Sequence, residues 1–194
     1  MPNPIDSSDL EYLQQLAGPG GWVTDPAELG AYLTEWRGQY NGTTPLLLMP
    51  DSTTKVAEIV RHCAQRRIGL VPQGGNTGLV GGGLPGLDGA ASEVLLSARR
   101  LNKIQEVDAA NLTMTVGAGC ILADLQQTAA DVDCIFPLSL AAEGSCQIGG
   151  NLSTNAGGTN VLHYGNTRDL VLGLEIVLPD GRVYEHLKGL RKDN

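Results

Sequence analysis

Apolar residues in this chain follow two spacings, and together they predict an alternation of helices and strands. In residues 8–17, Leu10, Leu13, Gln14 and Ala17 fall on one helical face, and Gly18-Pro19-Gly20-Gly21 stops the helix. Asp25-Pro26 opens a second helix through Leu33, after which Trp36-Arg37-Gly38 leads into a polar turn, Asn41-Gly42-Thr43-Thr44. The run Leu46 to Met49 predicts a buried strand ended by Pro50. Ser52 or Thr53 then caps a helix to Arg67, with Val56, Ile59, Val60 and Cys63 at i, i+3, i+4 and i+7 and Gly69 as its stop. A further strand at 68–71 completes a βαβ unit.

Beyond it, residues 93–97, 103–107 and 112–116 read as strands. In the last of these, Leu112, Met114 and Val116 alternate with Thr113 and Thr115, and Asp108 to Asn111 supplies the turn before it. A helix at 121–130, a strand at 170–178, the turn Pro179-Asp180-Gly181 and a return strand at 182–184 follow. An antiparallel element after a βαβ unit predicts an α+β chain in three segments: an N-terminal helical extension at 1–40, a first subdomain at 41–97, and a second at 98–194.

Composition adds one strong feature. The chain has 26 glycines, nearly twice the usual share, clustered at 74–86 and 144–158. The first cluster, Gly74-Gly-Asn-Thr-Gly-Leu-Val-Gly-Gly-Gly83, leaves a predicted strand. Such a loop lets successive N–H groups turn toward an anion. A flexible linker is the competing reading; the interleaved Leu79, Val80 and Leu84 argue against it. No Gly-x-x-x-x-Gly-Lys-Ser/Thr occurs, the spacing of Gly75, Gly78 and Gly81 is not Gly-x-Gly-x-x-Gly, and Leu122 breaks the pattern that Gly117-Ala118-Gly119 begins. The second cluster mixes glycine with Ser, Thr and Asn, which suits neutral hydrogen bonds to a ribityl-like chain or the edge of a heterocycle. Here an irregular structural loop is the competing reading.

A net charge of −8 argues against nucleic acid or an anionic membrane as partner. The cysteines at 63, 120, 134 and 146 form no Cys-x-x-Cys pair and read as reduced, largely buried thiols. Without a signal pattern at the N-terminus or an apolar run long enough to span a bilayer, the chain is expected to be soluble and cytoplasmic, with no metal site. His62 lies on the polar flank of its helix and is expected to be solvated. His163 and His186 are expected to be ordinary surface or loop residues.

Val71-Pro-Gln-Gly-Gly-Asn-Thr-Gly78, Pro137-Leu138, Gly144-Ser-Cys-Gln-Ile-Gly-Gly-Asn151, Thr154-Asn-Ala-Gly-Gly158 and Asp180-Gly181 resemble the FAD-binding domain of the vanillyl-alcohol oxidase type. The group that looks nearest is the FAD-linked D-2-hydroxyacid dehydrogenases, in particular bacterial D-2-hydroxyglutarate dehydrogenase-like proteins. The resemblance spans roughly residues 36–194 and implies two α/β subdomains with FAD stretched between them. Pro72, Gly74, Gly75, Asn76, Thr77 and Gly78 would hold the pyrophosphate region. Pro137, Leu138, Gly144, Ser145, Gly149, Gly150, Asn151, Thr154, Asn155, Gly157 and Gly158 would line the adenosine, ribityl and flavin.

Some relatives carry a flavin-linking His where this chain has Asn76, so FAD is expected to be non-covalent. Family members continue into a substrate domain that carries the catalytic residues, so the chain is expected to be an N-terminal fragment. The parent would oxidise a D-2-hydroxy acid (2-hydroxyglutarate, lactate or glycolate type) and pass electrons to a protein or quinone. A non-catalytic or apo remnant, and the related FAD-containing reductase of cell-wall precursor synthesis, are the alternatives. A sheet edge left open by the cut would invite homo-oligomers.

Overall fold

The computed structural model describes residues 5–87, 89 and 93–187; the end of the second expected subdomain, 188–194, lies outside the described residues. Its first layer holds α1 (Ser7–Ala17), β1 (Trp22–Val23), α2 (Pro26–Leu33), β2 (Leu47–Leu48), α3 (Thr53–Arg66), β3 (Gly69–Gln73) and β4 (Glu93–Ser97). The strand order is β1-β2-β4-β3, with β4 parallel to both neighbours and β1 antiparallel at the edge. β4 therefore sits between the two strands of the βαβ unit. Residues 5–40 belong to this layer: they contribute the edge strand and a helix for each face of the sheet.

The sheet is buried on both sides, which is why its strands read as unbroken apolar runs. Leu46, Leu48, Val94 and Leu96 meet Leu13, Ala17, Ile59 and Cys63 of α1 and α3 on one face. Leu47, Met49 and Leu95 meet Leu29 of α2 on the other. Each fully buried leucine contributes roughly 1.5–3 kcal/mol.

α3 shows how the sequence signals act and where one misleads. Ser52 caps its start, accepting from the Lys55 amide at 3.4 Å. Its end is set by Arg67 rather than Gly69: Arg67 itself adopts φ 58°, ψ 38°, the left-handed cap a glycine usually supplies. His62 is not solvated. It is half-buried, 3.0 Å from the buried Asp9 and against the Tyr12 ring, in a cluster that ties α1 to α3 with Arg66.

The second layer contains β5 (Ile104–Asp108), β6 (Thr113–Val116), α4 (Leu122–Ala130), α5 (Ile148–Ser153), α6 (Val161–Tyr164), a 3-10 turn at Thr167–Leu170, and the hairpin β7 (Leu174–Val177) with β8 (Val183–His186). Asp108 closes the β5–β6 turn by accepting from the amides of Ala110 and Asn111. The expected strand at 112–116 is shorter by one residue, because Leu112 takes φ 55° and is exposed. The expected strand at 170–178 shrinks to β7: its first residue, Leu170, closes the 3-10 turn that the Asn166–Asp169 capping box begins, and pairing with β8 starts only at Leu174. Core packing here is carried by Cys120, Leu125, Ile148, Leu122, Leu138 and Cys146. No two cysteines are bonded, and Cys134 is half-buried.

A candidate cofactor site where two glycine loops meet

β3 delivers the chain into the first glycine loop, and the strand ends where Gln73 pairs with Ser97. Pro72 is exposed on that strand. Among the described residues, no backbone N–H from Gly74 to Gly83 finds an acceptor. A run of free amides is the raw material of an anion cradle. Asn76 bends the loop with φ 52° while its side-chain amide donates to the Thr34 carbonyl at 2.9 Å. Thr77 is half-buried, and Gly78 stands in open space.

The second glycine stretch lies directly against the first. A Cβ built on Gly74 would meet Gln147 Cβ at 3.5 Å and Gly150 at 3.6 Å. One built on Gly75 would be 3.0 Å from Cys146 Cα and would collide with the Ser145 carbonyl. Two loops 70 residues apart in sequence are thus backbone to backbone, and glycine at 75 is what permits it. Gly149 has the same role a layer below, where a Cβ would stand 2.7 Å from that of Ala118. Gly117 and Gly119 similarly press on the carbonyls of Leu101 and Ala98, so the Gly-Ala-Gly run serves packing between the layers.

Residues 148–153 form α5 in place of an irregular loop, and Gly149, Gly150 and Asn151 lie within it. Gly144 and Ser145 are exposed just before it, and nothing would obstruct a Cβ at Gly144 or Gly150. Thr154 spends its hydroxyl on the Gly150 carbonyl at 3.0 Å. Asn155 accepts from the Arg168 amide at 3.0 Å. Gly157 faces Asn166, and Gly158 leaves no room for a Cβ beside the Ser139 carbonyl. Pro137 offers its carbonyl to Asn160 at 2.9 Å, and the buried Leu138 offers its own to Gln126 at 2.8 Å. The geometry gathers Gly74 and Gly75 with 145–150 and ties Asn76 to Thr34, while 154–158 is tied into the segment that carries the 3-10 turn.

Three buried side-chain oxygens lack a partner among the described residues: Gln73 Oε1, Gln147 Oε1 and Asn151 Oδ1. All three belong to the two meeting segments. An orphaned buried acceptor costs about 1–3 kcal/mol, so such atoms mark a place built for donors from elsewhere. Hydroxyls and amino groups on a nucleotide-like ligand would satisfy them, and free amides with few local charges suit a pyrophosphate. The residues present fit FAD. Gln73 and Gln147 escaped the sequence reading because a lone glutamine carries no signal. Burial pushes the Cys146 thiol up, against a hydrogen bond from Asn151, which favours the protonated thiol over the thiolate. A cavity of about 240 Å³ opens beside the junction, lined by Arg99, Asn102, Ile104, Asp124 and Gln147 among others. Of the residues at the loop contact it reaches only Gln147, so the free amides lie elsewhere.

Known proteins match this arrangement. A mitochondrial protein of rice, "Probable D-2-hydroxyglutarate dehydrogenase", is 45% identical over 190 residues, covering 98% of this chain and 33% of its own. The D-2-hydroxyglutarate dehydrogenase of Danio rerio, also mitochondrial, is 44% identical over 190 residues, covering 98% and 35%. The chain spans about a third of the length of these curated relatives. Their mitochondrial names overturn the expectation of a cytoplasmic protein. Among the described residues no helix is long and apolar enough to cross a membrane.

A structure of alkyldihydroxyacetonephosphate synthase superposes with a TM-score of 0.84 at 21% identity, over 95% of this chain and 36% of that one. It bears out the α+β, two-subdomain fold of the vanillyl-alcohol oxidase type. The family model described as "FAD binding domain" matches residues 44–186, which takes in both glycine stretches and the contact between them, and the chain belongs to that family.

Proposed function

We propose that this chain is the FAD-holding portion of a flavoprotein oxidoreductase that oxidises a D-2-hydroxy acid, of the 2-hydroxyglutarate, lactate or glycolate type. The observation that carries the reading is the backbone contact of Gly74–Gly75 with Ser145–Gly150, edged by free amides and by three orphaned acceptors. Gly74, Gly75, Asn76, Thr77 and Gly78 would receive the pyrophosphate through their amides, with Pro72 ending the strand that presents them. Pro137, Leu138, Gly144, Ser145, Gly149, Gly150, Asn151, Thr154, Asn155, Gly157 and Gly158 would border the remainder of the cofactor. Orphaned Gln73, Gln147 and Asn151 would accept from its hydroxyl or amino groups.

FAD bound there would act as hydride acceptor; the protein's share is to hold and orient it. Asn76 cannot form the histidyl link some relatives use, so the cofactor is held non-covalently. The division of labour we infer puts 41–97 and 98–194 on the two sides of FAD. The substrate site and the catalytic residues belong to the length that relatives carry beyond this third. Electrons leave to a protein or quinone acceptor. The test is anaerobic addition of D-2-hydroxyglutarate, D-lactate or glycolate to a protein carrying that remaining length: at least one bleaches the flavin absorbance. Failure of every D-2-hydroxy acid to do so refutes the assignment.

A further inference from the structure

Free amides hold an anion only if the loop that bears them keeps its shape, and the sheet holds it only at its ends, through β3 at Gln73 and through the Gly86 amide on the Glu93 carboxylate of β4 at 2.7 Å. A segment ahead of the matched family region fixes the rest. The Gln73 side chain, 4% exposed, donates to the Tyr32 carbonyl and to the Gly83 carbonyl, both at 2.9 Å. Asn76 donates to the Thr34 carbonyl at 2.9 Å, Arg37 to the Leu79 carbonyl at 2.5 Å, and the Thr43 amide to the Pro85 carbonyl at 2.8 Å. Four of these bonds tie the segment to loop positions 73, 76, 79 and 85, and the Gln73–Gly83 bond closes the loop on itself.

The segment that makes them is itself folded tight. The buried Glu35 carboxylate accepts from the Arg37 and Gln39 amides at 2.6 and 2.7 Å. Gly42 N–H donates to the Leu33 carbonyl at 2.7 Å, and Thr34 hydroxyl to Asn41 at 2.8 Å. Gly42 abuts the Pro85 carbonyl too closely for any side chain, and Tyr40 backs Gly81. From the other side, Arg99 lies over the Tyr32 ring.

We propose that residues 32–43 are a positioning strap for the phosphate loop: they hold 73–85 in its ligand-ready shape before any cofactor arrives. Preorganisation of this kind raises affinity by removing ordering cost from the binding step. The inference rests on the FAD reading above for its purpose, while the strap's effect on the loop is measurable without FAD.

Arg37→Met removes one tie from an exposed side chain and leaves both cores intact. The strap predicts that backbone amide order parameters from NMR relaxation fall across 74–83 in the FAD-free variant, with β3 and β4 unchanged and the unfolding temperature preserved. It predicts FAD binding about 2- to 10-fold weaker, the worth of one hydrogen bond, and recovery of most of that loss in Arg37→Lys. Wild-type order parameters at 74–83 in Arg37→Met overturn the strap. If the unaltered chain takes up no FAD, the order parameters alone decide: a fall at 74–83 upholds the strap while the cofactor reading falls, and unchanged values overturn the strap as well.

Discussion

Replacing Gly75 by alanine puts the contact between the glycine loops to a direct physical trial. A Cβ at this position lies 2.0 Å from the Ser145 carbonyl oxygen and 3.0 Å from Cys146 Cα and the Ser145 carbonyl carbon. Real Cβ atoms essentially never come within 3.0 Å of such neighbours. The loops must therefore separate by about 1 Å, because the obstruction is backbone and no flexible side chain can swing away. Forced overpacking of this kind costs about 1–3 kcal/mol. For a chain of this size that corresponds to roughly 2–12 °C in unfolding temperature.

The same loop supplies the control. A Cβ on Gly78 meets nothing within 4 Å, so Gly78→Ala stays near the ±0.5 kcal/mol of ordinary surface substitutions. Thermal unfolding followed by circular dichroism, with and without FAD, compares the two. Equal unfolding temperatures for Gly75→Ala and Gly78→Ala, with equal FAD affinity, would refute the claim that the two stretches meet at Gly75.

Two further outcomes follow from the titrating groups. Burial, helped by the Asp9 charge, pushes the Cys63 thiol up to about 12, so it holds almost no thiolate at neutral pH; alkylation of the folded protein with mass-spectrometric readout modifies half-buried Cys134 first, and early labelling of Cys63 contradicts the packing. Several carboxyls have folded pKa values below their ordinary ones. The chief causes are the Arg37 amide at Glu35, a hydrogen bond from Lys55 at Asp51, and one from Asn111 at Asp108. Groups depressed in the folded state contribute stability that is complete above the ordinary carboxylate range and lost as pH falls through their lowered values. The unfolding temperature accordingly stays level from neutral pH down to about 5 and drops below about 4. A steady drop starting near neutrality would implicate other groups.

Much of this fold is legible in the sequence where a signal is local and periodic. The 3.6-residue spacing of Ile59 and Cys63 finds α3, and the aliphatic run Leu46–Met49 finds β2 before it, because a doubly buried strand has no polar face to show. What depends on partners distant in sequence is not legible. Nothing near residues 93–97 says that β4 enters between β2 and β3. Arg67 takes a left-handed cap that its residue type does not advertise. Thr34 and Tyr32 support the glycine loop through carbonyls, and a carbonyl is common to every residue. The glycine stretches signal close approach, yet only the fold shows that Gly75 approaches Ser145 while Gly158 approaches Ser139. Thr154 and Asn155, whose polar side chains suggest ligand contacts, turn those chains onto the protein's own backbone.

The central claim is that this chain holds FAD without a covalent bond. An absorbance spectrum of the purified chain, taken after FAD addition and desalting and again after acid precipitation, tests it most directly. The account predicts flavin bands that survive desalting and then leave the protein for the supernatant in acid. A colourless protein after desalting, or colour that stays with the acid precipitate, would contradict it.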